Sequence, residues 1–178
     1  MSVSNTSAEK KIDEMYDLIG DIETALFTTR RTDAALVTRP MATQKRDAVA
    51  DVWFVTNIET HKVDEIQHNS EVCLGYYDSG SKEWVSVSGT ASICTDRMTI
   101  RKLHQSDWQV WFENEGGDRD GGPDDPRLAL ILVNAHTVTY MKAKHSRPVA
   151  LFEIARGFAT GHTPDLGRQE HLSEKELG

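Results

Sequence analysis

Cysteine is nearly missing from this chain. Cys73 and Cys94 are the only two in 178 residues, they stand far apart, and no CxxC occurs. That scarcity argues against a disulfide framework or a cysteine-based zinc site and suits two reduced thiols in the core. Long apolar runs are missing too: nothing approaches the roughly 18 residues that a membrane-spanning helix needs. The opening MSVSNTSAEKK has no apolar stretch ahead of a small-residue cleavage site. It does not read as a secretory leader, so the expected location is the cytoplasm. Positive charge is in the minority, with 20 Lys and Arg against 28 Asp and Glu and a formal net charge of -8. This balance works against nucleic-acid binding, because a phosphate backbone demands a basic face.

Several catalytic signatures are absent as well. There is no GxxxxGK[ST] loop for a nucleoside triphosphate and no glycine fingerprint after a strand for a nicotinamide dinucleotide. Seven histidines occur, including His61, His68, His162 and His171, but none forms HExxH or a comparable set, so no metal site is expected. GGDRDGGPDD superficially suggests a calcium loop. However, Gly122 stands where a third oxygen ligand belongs and Ala129 where a bidentate Glu is required, so the segment reads as a plain loop. Ser86 and Ser88 have no GxSxG around them, and regular strand alternation accounts for both.

With 38% hydrophobic and 27% charged residues, the composition is that of an ordinary globular protein with one substantial core. Ile12, Met15, Ile19 and Ile22 recur at spacings of three and four, which predicts an amphipathic helix over 9–24. ALFTTR and AALVTRPM flank a polar RTD turn and predict a hairpin, with Pro40 ending its strand or lying at an edge. VWFVT at 52–56 is a further strand, followed by a short helix capped by Thr60 that buries Val63 and Ile66. EVCLGYYD and EWVSVSGTASIC pair across SGSK. A helix capped by Thr95 or Asp96 is expected to run through Met98, Ile100 and Leu103 toward Trp108, Trp111 and Phe112. LALILV and TVTYM form a last strand pair around NAHT, and RPVALFEIARGFA is expected to be helical. The division is a disordered 1–8, one domain over 9–160, and an exposed or loosely docked tail over 161–178. Some seven strands with short connections and no βαβ alternation make the fold class mainly β, a small barrel or curled sheet with peripheral helices.

One local feature departs from the acidic background. Residues 30–46 hold Arg30, Arg31, Arg39, Lys45 and Arg46 against the single acid Asp33, a basic island able to hold a small anion or to serve as a solvated face. Trp84, Trp108 and Trp111 could stack on a planar ring or simply pack in the core.

RPM at 39–41, Gln44, WFVT at 53–56, Lys62, WVSVSG at 84–89 and WF with GGPDDP at 111–126 occur in one order and spacing. Together they resemble the pyridoxamine 5′-phosphate oxidase-like flavin-binding split barrels, in the branch of the bacterial general stress proteins, and GHTPDLG in the tail adds to the likeness. The resemblance implies a split barrel of six to seven antiparallel strands. It also implies a homodimer with an FMN in each of two interface clefts, FAD being the alternative. It places Arg39 and Lys62 on the flavin phosphate, with Thr56 and the Val55 backbone beside them and His61 where the oxidases often carry arginine. Pro40, Met41 and Gln44 lie where the family approaches the isoalloxazine. Trp84 sits where the oxidases often have glutamine, Ser86 presents a hydroxyl on the same strand, and Trp111 is expected to wall the ring from the other subunit. The arginine- and histidine-bearing segment that holds pyridoxal phosphate in the oxidases is replaced by GFATGHTPDLG, which argues against oxidation of pyridoxamine phosphate. The expected function is therefore flavin-dependent oxidoreduction of an unidentified small substrate. The alternatives are a flavin-storing or flavin-sensing module without turnover and a ligand-free structural dimer.

Overall fold

The computed structural model describes residues 7–143 and 167–177. Helix α1 spans Ala8–Ile22, with the Ser7 hydroxyl accepting from the Lys10 amide. Met15, Leu18 and Ile19 are its buried stripe, and Ile12 and Ile22 pack at the margin. Hairpin β1 (Thr24–Arg30) and β2 (Leu36–Ala42) follows, then β3 (Val52–Asn57), α2 (His61–His68), β4 (Glu71–Tyr77) and β5 (Trp84–Cys94). Helix α3 (Arg97–Leu103), a 3₁₀ helix (Ser106–Trp111), β6 (Leu128–Ala143) and β7 (Gly167–Ser173) complete the order, ending in a helical turn, Glu174–Leu177. Among the described residues no helix is long and apolar enough to cross a membrane.

All seven strands form one antiparallel sheet in the order β2-β1-β4-β5-β6-β3, with β7 also on β6. Strand β6 explains the curl. One edge pairs with β5 along its length, while the other pairs with β3 over Leu128–Val133 and with β7 over Thr137–Ala143. The two sheet ends then meet, and the Gln44 amide just past β2 donates to the Trp53 carbonyl of β3 at 3.0 Å. This contact joins the two ends at one point and leaves β2 an edge strand. The main core fills the curl with Phe27, Phe54, Leu74, Tyr76, Val87, Val138 and Leu172, Phe27 meeting Phe54 edge-on at 5.2 Å. Each large side chain buried here is worth about 1.5–3 kcal/mol. A second cluster of Trp53, Ile100, Trp108, Phe112, Leu128 and Leu130 lies behind the 3₁₀ helix and holds it to the barrel.

Five expectations change. LALILV and TVTYM are one continuous strand, not a pair around NAHT, because a bulge at His136 absorbs the register shift between Ser88 and Gly89 and bends β6 without breaking it. The helix expected from 95 to 112 breaks at His104, where the backbone turns extended and the chain continues as the 3₁₀ segment. Asp96 caps α3 by accepting from the Thr99 amide at 2.8 Å. Thr60 does stand at the N-cap position of α2, but its hydroxyl donates to the Asn57 carbonyl at 2.7 Å and caps no helix amide. Over 167–177 the chain is docked on the sheet: β7 continues it, Leu172 is fully buried, and Arg168 and Glu170 pair with Glu14 and Lys11 of α1, while Gln169, His171, Glu174 and Lys175 remain exposed. Its polar sequence hides a strand whose charges find partners on that helix. Ser7 and Ala8 likewise belong to the start of α1, while 1–6, the helix expected over RPVALFEIARGFA and most of GHTPDLG lie outside the described residues.

Gly89 is required by the bulge. A Cβ there would lie 2.2 Å from the Asn134 carbonyl oxygen. Gly89→Ala is expected to cost about 3 kcal/mol through backbone displacement, read as a lower Tm; an unchanged Tm would refute this packing.

Candidate functional site

The meeting of β2 and β3 leaves a cleft of about 580 Å³. Its floor is Arg39, Pro40, Met41 and Ala42 from β2, with Gln44 just beyond. Val55, Thr56 and Asn57 from the end of β3, then Thr60 and Lys62 at the start of α2, form one end, and Asp107, Trp108, Val110, Trp111 and Phe112 form the opposite wall. Arg39 and Lys62, 23 residues apart in sequence, therefore face one cavity.

Arg39 is held in a closed three-membered ring. Its Nη1 donates to Thr29 Oγ1 at 2.7 Å, its Nη2 donates to Glu65 Oε2 at 2.7 Å, and the Thr29 hydroxyl donates to the same carboxylate oxygen at 2.5 Å. Burial pushes the Glu65 carboxyl up, but the bonds from Thr29 and Arg39 and the charges of Arg39 and Arg31 outweigh it and hold the group below the usual carboxylate range. Two of the five N–H donors of Arg39 serve this ring, so the remainder are available to a ligand.

Lys62 is different. It is half-buried, and its Nζ donates only to the neutral hydroxyls of Thr60 at 3.1 Å and Thr56 at 3.4 Å. No carboxylate among the described residues pairs with it. Burial lowers its pKa, the Arg39 charge lowers it further, and Glu65 opposes both. A buried cation against hydroxyls, beside a second cation, is costly unless an anion enters. The donor set thus fits a phosphate or comparable anion.

The far wall is tethered rather than loosely draped. Trp108 is buried, meets Trp53 and His104 edge-on at 6.0 and 5.3 Å, and donates its indole N–H to Gln44 Oε1 at 3.0 Å. Trp108 is therefore a core residue, and Gln44 is the anchor for the 3₁₀ helix. Trp111 is 74% exposed and stands at the mouth of its own chain's cleft. Behind the wall, Arg127 lies over the Phe112 ring at 5.6 Å and pairs with the fully buried Asp125 at 2.7 Å. Arg127 also reaches Glu115 at 2.7 Å and the Glu113 carbonyl at 2.9 Å. GGPDDP thus serves to staple the loop under the wall.

Of the residues singled out in the sequence, Arg39, Pro40, Met41, Gln44, Val55, Thr56, Lys62 and Trp111 come together in the cleft. His61 lies in an adjoining cavity of about 550 Å³ that shares Arg39. Trp84 and Ser86 are elsewhere. Their registers, Trp84 beside Tyr77 and Ser86 beside Gly75, put them on the outward face of the sheet with the exposed Leu26 and Tyr77. Thr29 and Glu65 went unnoticed in the sequence. The i, i+3 spacing of Lys62 and Glu65 on a short helix was the available signal, since it puts both on one face.

Over residues 10–165 the sequence matches the family described as pyridoxamine 5′-phosphate oxidase like, and the chain belongs to that family. It is 31% identical to the protein bli-3 of Neurospora crassa over 172 residues, 95% of this chain and 82% of that protein. A general stress protein 26 candidate from Jannaschia sp. CCS1 shares the fold with a TM-score of 0.71 at 22% identity, covering 93% of this chain and 99% of the other. The general stress FMN/FAD binding protein of Xanthomonas citri superposes with a TM-score of 0.56 at 21% identity, covering 71% and 84%.

Proposed function

We propose that the cleft binds a flavin, FMN in the first place and FAD as the alternative. The phosphate would lie between Lys62 and Arg39, and the ring would run past Met41 and Gln44 toward Trp111. The observation that carries this reading is Lys62: a half-buried ammonium lined only by hydroxyls, with Arg39 in the same cavity. Charge-assisted bonds to a phosphate offset the desolvation that both cations otherwise suffer. The membership in a family with an FMN/FAD-binding relative supports the same ligand.

A bound flavin supplies hydride and electron transfer at its ring. This chain's own residues bind and orient: Lys62 and Arg39 hold the anionic end, Gln44 fixes the 3₁₀ wall through Trp108, and Val110 and Trp111 screen the mouth from water. We assign the protein as a cytoplasmic flavin-dependent oxidoreductase of a small substrate. The pairing expected is a homodimer through the outward face of β2-β1-β4-β5. Pro40 belongs both to that face, where it registers with Leu26, and to the cleft. A second copy seated there would bring its Trp84 and Ser86 toward the cleft edge.

The test is spectroscopic. Natively purified protein should carry flavin absorbance, and mass spectrometry of the released small molecule should return FMN or FAD. Anaerobic reduction by NADH or NADPH followed by reoxidation with acceptors should give turnover. Tight flavin without turnover would instead assign a storage or sensing module, and no flavin uptake at micromolar concentration would refute the binding site. Light scattering should return a dimer; a monomer that binds flavin tightly would contradict the shared face.

A further inference from the structure

We propose that Glu65 is a specificity-determining residue of this anion end, setting its charge by neutralising Arg39 so that Lys62 alone remains uncompensated. The inference rests on the flavin reading and deepens it. The Glu65 carboxylate is the only acidic group in hydrogen-bond contact with Arg39 among the described residues, none contacts Lys62, and Glu65 is itself buried with Thr29 and Arg39 closed around it. A phosphate monoester near neutral pH carries close to two negative charges. Arg39, Lys62 and Glu65 together offer it one net positive charge. Glu65 has a second role that opposes the first: it holds the Arg39 guanidinium in the cleft wall, with its unused N–H donors presented to the cavity. The site therefore gives up part of its attraction for a dianion in exchange for a fixed arginine. The result is modest discrimination between a phosphorylated and an unphosphorylated flavin.

Glu65→Gln separates charge from shape, because the amide oxygen can still accept from Thr29 and Arg39. Isothermal titration of wild type and variant with FMN and with riboflavin is the experiment. E65Q is expected to bind FMN about three- to tenfold more tightly, the size of one unit charge removed a few ångströms from a phosphate when solvent in the open cleft keeps the dielectric close to that of water. Riboflavin affinity should stay within about twofold, since it lacks the charge on which the substitution acts. Unchanged or weakened FMN affinity in E65Q overturns the proposal. Should wild type bind neither flavin, the flavin reading fails by itself, and a ligand-independent measurement still decides about Glu65. The Lys62 pKa, followed by NMR of reductively ¹³C-methylated protein, should fall in E65Q, because the nearest charge that raises it is gone. An unmoved Lys62 titration would overturn the assignment whatever the ligand.

Discussion

Arg127→Met is expected to lower the unfolding free energy by about 3–5 kcal/mol, the range found when one member of a buried ion pair is removed. Asp125 would then be a carboxylate with no exposure and no cation in contact, although it still accepts from the Gly121 amide at 2.8 Å and from the amide of residue 127. The damage should not stay local. Arg127 also covers Phe112 and holds the Glu113 carbonyl, so the wall of the cleft loosens with it. Replacing both partners, Arg127→Met with Asp125→Asn, should recover part of the loss, because no charge is then left stranded in the interior and the amide oxygen can still accept from a backbone N–H. Denaturant unfolding checks both. A single-variant loss below about 1 kcal/mol would class the pair with exposed surface bridges.

The same pair sets an acid limit. The Arg127 hydrogen bond holds the Asp125 carboxyl down to about 2 against burial, with the amides of Gly121 and Arg127 helping. A carboxyl whose folded pKa is depressed contributes its stability above the unfolded value, here near 3.8, and loses it as pH falls toward the folded one. Unfolding free energy measured between pH 5 and about 2 should therefore fall with acid in wild type. Asp125→Asn should flatten that fall.

The second large effect is on binding. Lys62→Met keeps the length of the stem and removes the ammonium that only hydroxyls now satisfy. FMN affinity is expected to drop by about 1.5–3 kcal/mol, the worth of a charged hydrogen bond, or roughly ten- to a hundredfold. Riboflavin should be unaffected. Equal losses for both ligands would move the phosphate away from Lys62. Arg39→Ala is a less clean probe, because it also strands the Glu65 carboxylate in a buried ring; its FMN loss should arrive together with a stability loss, whereas Lys62→Met should be neutral or slightly stabilising without ligand. That prediction follows from the desolvation that already depresses the Lys62 pKa.

Much of this was legible in the primary structure. Alternation at Val85, Val87 and the hydroxylated Ser86 and Ser88 marked β5, and the three- and four-residue spacing of Ile12, Met15 and Ile19 marked α1. Pro40 was confined to an edge because it has no N–H to give, and β2 is an edge strand. The likeness of RPM, WFVT and Lys62 to the flavin-binding split barrels implied one shared site, and Arg39, Pro40, Met41, Val55, Thr56 and Lys62 line one cleft. By contrast, GRQEHLS gives no apolar signal beyond Leu172, so β7 was invisible until Lys11 and Glu14 appeared beside its charges. NAHT looked like a turn because a bulge and a turn have the same short polar composition, and only the neighbouring strand's register tells them apart.

Local patterning by itself determined which segments became strands and helices, and that a cation would stand at each end of the β2–β3 unit, since period and residue type act over a few neighbours. The tertiary structure alone decided what those cations do: the curl of the sheet carried Thr29 and Glu65 to Arg39 and left Lys62 against hydroxyls. Charge compensation depends on which groups come within a few ångströms of one another, and that distance is set by chain closure across tens of residues.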